Sequence, residues 1–337
     1  MSTVKVNTIQ DSSGSVDLLN YANGSATGIA VNSGRKNLII NGAMQVAQRG
    51  TSFATTGIYT IDRWMVHTDA ATVSTQQVED TVNGSKVATL SSTASGHTFH
   101  VLQQRLEHLR RLQGKTLTLS GWVKGTAGTH TQYIEFRDSS GTGIDSVNFP
   151  MTFTGSWQYI THTFQVPTNA AYDTNGAWFN VSFYGGDTLA ISEIQLEVGS
   201  VATPFEHRSY GEELALCQRY CNVYAGSSSG KGGIVASGNR SFLGYGNAHN
   251  ANNPVTFLGV PVTMRAMPTL TYSSAGHFAF DNGWTIFATY SNLNTQSFRS
   301  SPKDIALIGT TSGLSLQDAG SLSFTTTSGW MILDAEL

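Results

Sequence analysis

The chain has 337 residues, enough for two or three domains that each bury a core. Charged residues make up 12% and the formal net charge is −3, against a usual charged share of roughly 25%. The only concentrated basic stretch is "RLEHLRR" at 105–111, so nucleic acid is excluded as the expected partner, and no run of ~18 apolar residues predicts membrane insertion.

Residues 1–35 are small and polar, with apolar patterning only in "VKVNTI" and "VDLLNYA". They contain no apolar stretch of secretory-signal length. A segment of this kind buries too little apolar surface to fold alone, so an extended arm that orders against a partner is expected.

From residue 36 onward, short runs of β-branched and aromatic residues alternate with Gly, Asn and Ser turns. Residues 36–205 contain "KTLTLSGWVKG", "TQYIEFRD", "QYITHTFQVP", "AWFNVSFYGG" and "LAISEIQLEVG". In the first of these, Leu117, Leu119, Gly121 and Val123 share one face, opposite Thr116, Thr118, Ser120 and Trp122. Strand spacing fits a jelly-roll β-sandwich with long crossovers.

A linker helix is predicted within 206–224. Ser209 and Glu212 have the S-x-x-E spacing of a capping box. Behind the cap, Tyr210, Leu214, Cys217 and Cys221 form an i, i+4, i+7, i+11 stripe carrying the chain's two cysteines. Buried free cysteine behaves as a small hydrophobe, so packing is preferred to metal binding. The tract "AGSSSGKGG" at 225–233 reads as flexible, and strand patterns resume to the end, giving a C-terminal β domain over 225–337. The fold class is therefore all-β: N-terminal extended arm, jelly-roll sandwich, short linker helix and C-terminal sandwich-like domain.

Several chemical motifs fail on context. "GSSSG" at 226–230 matches G-x-S-x-G, with Ser228 as the formal nucleophile, but a nucleophile elbow needs a strand before it and a helix after it. A P-loop reading fails because Ala225 and Gly232 stand where Gly and Ser or Thr are required. Glu135, Asp187, Glu193 and Glu197 are carboxylates on or beside strands, and sequence spacing gives no pair for glycoside hydrolysis. His97, His100 and His108 lie near one another in sequence, but His97 and His100 point to opposite faces in extended chain, so a metal site there is not expected. The Asn-x-Ser sequons at Asn23, Asn83, Asn180 and Asn239 are attributed to composition. No catalytic residue, metal ligand or cofactor is assigned.

Aromatic residues offer a binding chemistry, since sugar C–H faces stack on indole or phenol while hydroxyls seek amide, carboxylate and guanidinium groups. Most aromatics of the sandwich are expected in its core, Trp64 among them. Trp122, Tyr133 and Trp178 are the candidate glycan contacts, Trp122 foremost because it lies opposite the leucine face.

The stretches "NLIINGAMQVAQRGTSF" (37–53), "YTIDRWMV" (59–66), "LQQRLEHLRRLQGKTLTLSGWVKG" (102–125) and "ISEIQLEVGSVATPFEHRSYGEELALCQRY" (191–220) resemble bacteriophage tail-fibre proteins that carry a carbohydrate-binding-module-like jelly roll. "PVTMRAMPTLTYS" and "ILDAEL" are similar to the C-terminal region of the same fibres, and "STVKVNTIQDSSGS" to their virion-attachment arms. The resemblance implies a virion protein made in the host cytoplasm: a homotrimer, attached to tail or other virion proteins through residues 1–35. Its expected distal partner is host surface polysaccharide, bound without cleavage. A decoration or adaptor protein with no receptor role is the alternative. A depolymerase is disfavoured by the lack of β-helix repeats.

Overall fold

The computed structural model describes residues 8–10, 17–22, 25–29, 35–107, 109–173, 176–232, 234–236, 242–282, 286–295, 300–312, 314–315 and 318–337. The chain divides into two compact units, Met1–Asn37 and Leu38–Leu337. In the first, the strands Thr8–Gln10, Asp17–Ala22 and Ser25–Ile29 form a three-stranded antiparallel sheet. The rest of the expected attachment arm, with the sequon at Asn23, lies outside the described residues, as do His108 and Asn239.

The second unit is all-β, as its patterning predicts. Two six-stranded sheets form a sandwich. One runs Gln158–Gln165, Thr116–Gly125, Thr188–Val198, Ser85–Ser95, Thr72–Val82, Ser52–Phe53. The other runs Gly143–Phe153, Gly128–Arg137, Trp178–Tyr184, His100–Leu106, Met65–Thr68, Ile58–Tyr59. Between the sheets lies one core to which each strand contributes alternate residues: Leu117, Leu119 and Val123 from one sheet; Ile134, Phe136, Phe179, Val181 and Phe183 from the other. Trp64, fully buried, donates its indole N–H to Asn41 O at 3.0 Å, so its polar atom is satisfied inside the core.

The helix is Tyr210–Gln218, and it is capped as the sequence predicts: the Ser209 hydroxyl accepts the Glu212 N–H, and the Glu212 side chain accepts the Ser209 N–H. The stripe differs from expectation. Tyr210 is 51% exposed, and the buried helical residues are Glu213, Cys217 and Gln218. The cause is polar: the Glu213 carboxylate accepts the Asn41 N–H at 2.6 Å and Arg208 Nη1 at 3.3 Å, which turns that side of the helix onto the sandwich. Cys221 is not helical. It opens Cys221–Gly226, a wholly buried strand where a helix end and a flexible tract were expected, paired antiparallel to Trp330–Asp334 and parallel to Ile234–Ala236. Both cysteines are free and buried.

Thr269–Tyr272 completes that four-stranded sheet. A seven-stranded sheet follows in the order Ile286–Thr289, Phe278–Asp281, Ala319–Phe324, Phe242–Asn250, Asn253–Gly259, Asp304–Thr310, Asn292–Thr295. A second core, including Tyr224, Phe278, Phe280, Leu307, Phe324 and Met331, joins these sheets.

The sandwich and the C-terminal sheets meet in a bonded seam. Gln48 Nε2 donates to Cys221 O at 3.0 Å, Lys231 Nζ to Arg49 O at 2.8 Å, and Arg49 pairs with Asp334 at 3.0 Å and Glu336 at 3.3 Å. Arg63, 1% exposed, pairs with Glu336 and lies 3.6 Å from the Tyr220 ring centre. No helix among the described residues is long and apolar enough to cross a membrane.

Candidate functional site

Strand Trp178–Tyr184 builds the site through its period of two. Phe179, Val181 and Phe183 enter the core, which turns Trp178, Asn180, Ser182 and Tyr184 to the outer face of the second sheet. Register then sets their neighbours. Asn180 stands between Glu135 and Arg105, Ser182 between Tyr133 and Gln103, and Trp178 beside Arg137. Val101 and His67 continue the row beyond Tyr184.

These side chains line a cleft of about 660 Å³. Its aromatic wall is Tyr184, Phe99 and His67; the Phe99 and His67 rings meet edge-on at 5.0 Å. Its polar wall is Gln103, Arg105, Glu135, Arg137 and Asn180, with Trp178 among them. The Arg105 guanidinium lies 4.7 Å from the Trp178 ring centre and that of Arg137 5.6 Å, so the indole is clamped by two cations. Glu135 accepts Asn180 Nδ2 at 3.1 Å and Arg137 Nη2 at 3.3 Å, and Arg137 Nη1 donates to Gly141 O at 2.8 Å.

This network is incompletely satisfied. Arg105 Nε, Arg137 Nε and Asn180 Oδ1 are buried and have no hydrogen-bond partner among the described residues. Two donors and one acceptor therefore remain within one polar wall, where burial makes an unmet hydrogen bond costly. Burial, reinforced by Glu135 and Tyr133, raises the Tyr184 phenol to about 12, so it is a neutral donor at any ordinary pH.

Of the three sequence candidates, Trp178 lines the cleft, and Tyr133 stands behind it with its ring 5.0 Å from that of Tyr184. Trp122 lies on the other sheet, half-buried against Tyr159 at 5.3 Å, and shares no site with them. Arg105, Arg137, Gln103, Asn180 and Tyr184 were not singled out by sequence reasoning. The alternation in "WFNVSFY" carried the signal for Asn180 and Tyr184. Nothing local marks the arginines, because pairing between distant strands brings them to the indole.

The other motifs stay dispersed. Glu197 is buried, accepting the Thr203 N–H at 2.8 Å and Thr203 Oγ1 at 2.8 Å. Asp187 faces His97 at 3.1 Å, and Glu193 occupies a left-handed position (φ 50°) in a different sheet from Glu135. Ser228 is exposed on a turn that follows a strand, not the helix expected, and the next element is the strand Ile234–Ala236, so no elbow forms. Among the described residues, no group of three or more His, Cys, Asp or Glu stands ready for a metal ion.

No family model matches the chain, and no curated protein does. Solved structures similar to part of it include the enzymatically active domain of tailspike protein 4 from bacteriophage CBA120, at 17% identity over 48% of this chain with a TM-score of 0.33. This chain spans 21% of that domain's length. A CBM4 structure is 16% identical over 48% of this chain and 99% of its own, TM-score 0.32. The CBM22-1 xylan-binding domain of Xyn10C from Paenibacillus barcinonensis is 15% identical over 50% of this chain and 100% of its own, TM-score 0.31. Likeness at this level carries no argument about ligand or activity.

Proposed function

We propose that the protein binds glycan non-catalytically in the cleft of the second sandwich sheet. The observation that carries this reading is the cleft's composition: aromatic faces on one wall, and on the other a fixed polar network with unmet donors and an unmet acceptor. Sugars present apolar C–H faces and hydroxyls that both donate and accept, which suits both walls. Glu135 is the one carboxylate among the described residues that line the cleft, and Asn180 and Arg137 hold it in place. That supports binding over hydrolysis, which needs two carboxylates facing each other across the scissile bond.

Within the same proposal, the resemblance to phage tail fibres supplies the setting: a homotrimeric virion protein, held to the particle through its N-terminal region, that recognises host surface polysaccharide. Three linked sites raise avidity by ~100-fold or more where geometry allows joint engagement. Binding of purified protein to host cells and to an array of host glycans tests it. Tyr184→Ala should weaken glycan binding about tenfold, roughly 1.4 kcal/mol, with the melting temperature little changed. Binding to no glycan and to no cell would remove the reading.

A further inference from the structure

A second cavity has a volume of about 410 Å³. Gly176, Ala177 and Tyr172 line it together with Leu109 and Leu337. Two contacts link its lining to that of the cleft: a Cβ on Gly176 would lie 3.3 Å from Ser139 of the cleft, and Arg105 of the cleft donates to Leu337 O, which lines the second cavity. Four arginines surround that second space, Arg110, Arg111, Arg219 and Arg265, with Glu107 among them.

Their charges are only partly matched. Arg219 and Arg265 approach Glu107 at 3.5 and 3.6 Å, so one carboxylate serves two cations. Arg110 reaches Asp173 at 3.4 Å with both side chains well exposed, a pair of little strength. Arg111 is exposed and has no ion-pair or hydrogen-bond partner among the described residues. With Arg105 and Arg137 of the cleft, six of the chain's twelve arginines line the two linked spaces in a protein of net charge −3.

We infer that the cleft and this cavity form one track for an acidic polysaccharide, with a carboxylate-bearing sugar at Arg105 and Arg137 and another, further along the same chain, at Arg110 and Arg111. The inference rests on the glycan-binding reading and goes beyond it by fixing the ligand's charge and its length. Guanidinium groups bind carboxylates through paired, charge-assisted N–H donors, and both Arg105 and Arg137 line the cleft. Nucleic acid fits less well. Glu135, Glu107 and Asp173 interleave with the arginines; they would accept the hydroxyls that every sugar of a polysaccharide presents and that the backbone of single-stranded DNA lacks.

Calorimetric titration of the full chain tests the track. The probes are uronate oligosaccharides of two and of eight residues, hyaluronan oligosaccharides and oligosialic acid, each beside its carboxyl-reduced form, with single-stranded DNA as the rival polyanion. At least one acidic glycan should bind about tenfold or more tightly than its reduced form, and this difference should shrink as salt rises. Arg137→Gln should reduce that preference, most of all for the two-residue probe. The double variant Arg110→Gln/Arg111→Gln, at two exposed positions, should weaken the octamer several-fold and leave the dimer unchanged. Equal binding of all acidic and reduced forms overturns the inference while the glycan reading stands. An octamer indifferent to the double variant overturns the extended track. Tighter binding of DNA than of every saccharide overturns the ligand class. No saccharide bound at all removes the inference and the glycan reading together.

Discussion

His100 shows how a single side chain sets a pH limit on the fold. The ring is 2% exposed. Nδ1 lies 2.8 Å from Gly186 O, which can only accept, so this nitrogen carries the proton; Nε2 then accepts from the Ser92 hydroxyl at 2.8 Å, and Ser92 also bonds to Thr75 at 2.8 Å. Burial pushes the imidazole below its usual value, with Gly186 opposing that shift, His97 adding to it and Asp187 opposing it. The folded state therefore prefers the neutral ring. This contribution is fully present above the unfolded value near 6.5 and is lost as pH falls below it through the lower folded value. The melting temperature should accordingly drop as pH is lowered from 7 to 5, and His100→Gln should flatten that dependence. An unchanged slope in the variant would mean that His100 is not the titrating group.

At the scale of elements, Thr116–Gly125 shows how much was legible. Alternation placed Leu117, Leu119 and Val123 in the core, and they are there. What the alternation does not contain is the partner strand's irregularity: pairing with Thr188–Val198 slips between Ser120 and Trp122, beside the left-handed Glu193. Gly121 is required at that slip, because a Cβ would lie 2.6 Å from Ile194 Cδ1 and 3.0 Å from Glu193 O. Gly121→Ala should cost about 1–3 kcal/mol, measurable by denaturant unfolding; a neutral result would show that the strand pair relaxes freely. The candidate site was legible to the same depth. Local alternation reveals which residues of "WFNVSFY" face outward. Only the long-range register puts Arg105 and Arg137 against Trp178 and leaves Trp122 on the opposite sheet. The capping box at Ser209 was readable because all its parts lie within four residues, whereas the turning of the helix by Glu213 depends on Asn41, 172 positions away.

Across the whole molecule, the seam ties the sandwich to the C-terminal sheets inside one compact unit. Glu336 is central to it. Its carboxylate, 4% exposed, receives Arg49 and Arg63, which are themselves buried. Removing one partner of such a group strands charge away from water, which costs about 3–5 kcal/mol. Glu336→Gln should destabilise the protein by about 3 kcal/mol, and calorimetry of the parent should show the sandwich and the C-terminal sheets melting in one transition. Separate peaks for the two would contradict the bonded seam. Beside that seam, Cys217 and Cys221 are completely inaccessible, and burial drives both thiols well above the ordinary cysteine value. The folded chain is thus chemically silent towards alkylating reagents and disulfide exchange, and each opening of this region exposes a thiol. The rate at which native protein is alkylated is a clock for that opening, and it needs no added label.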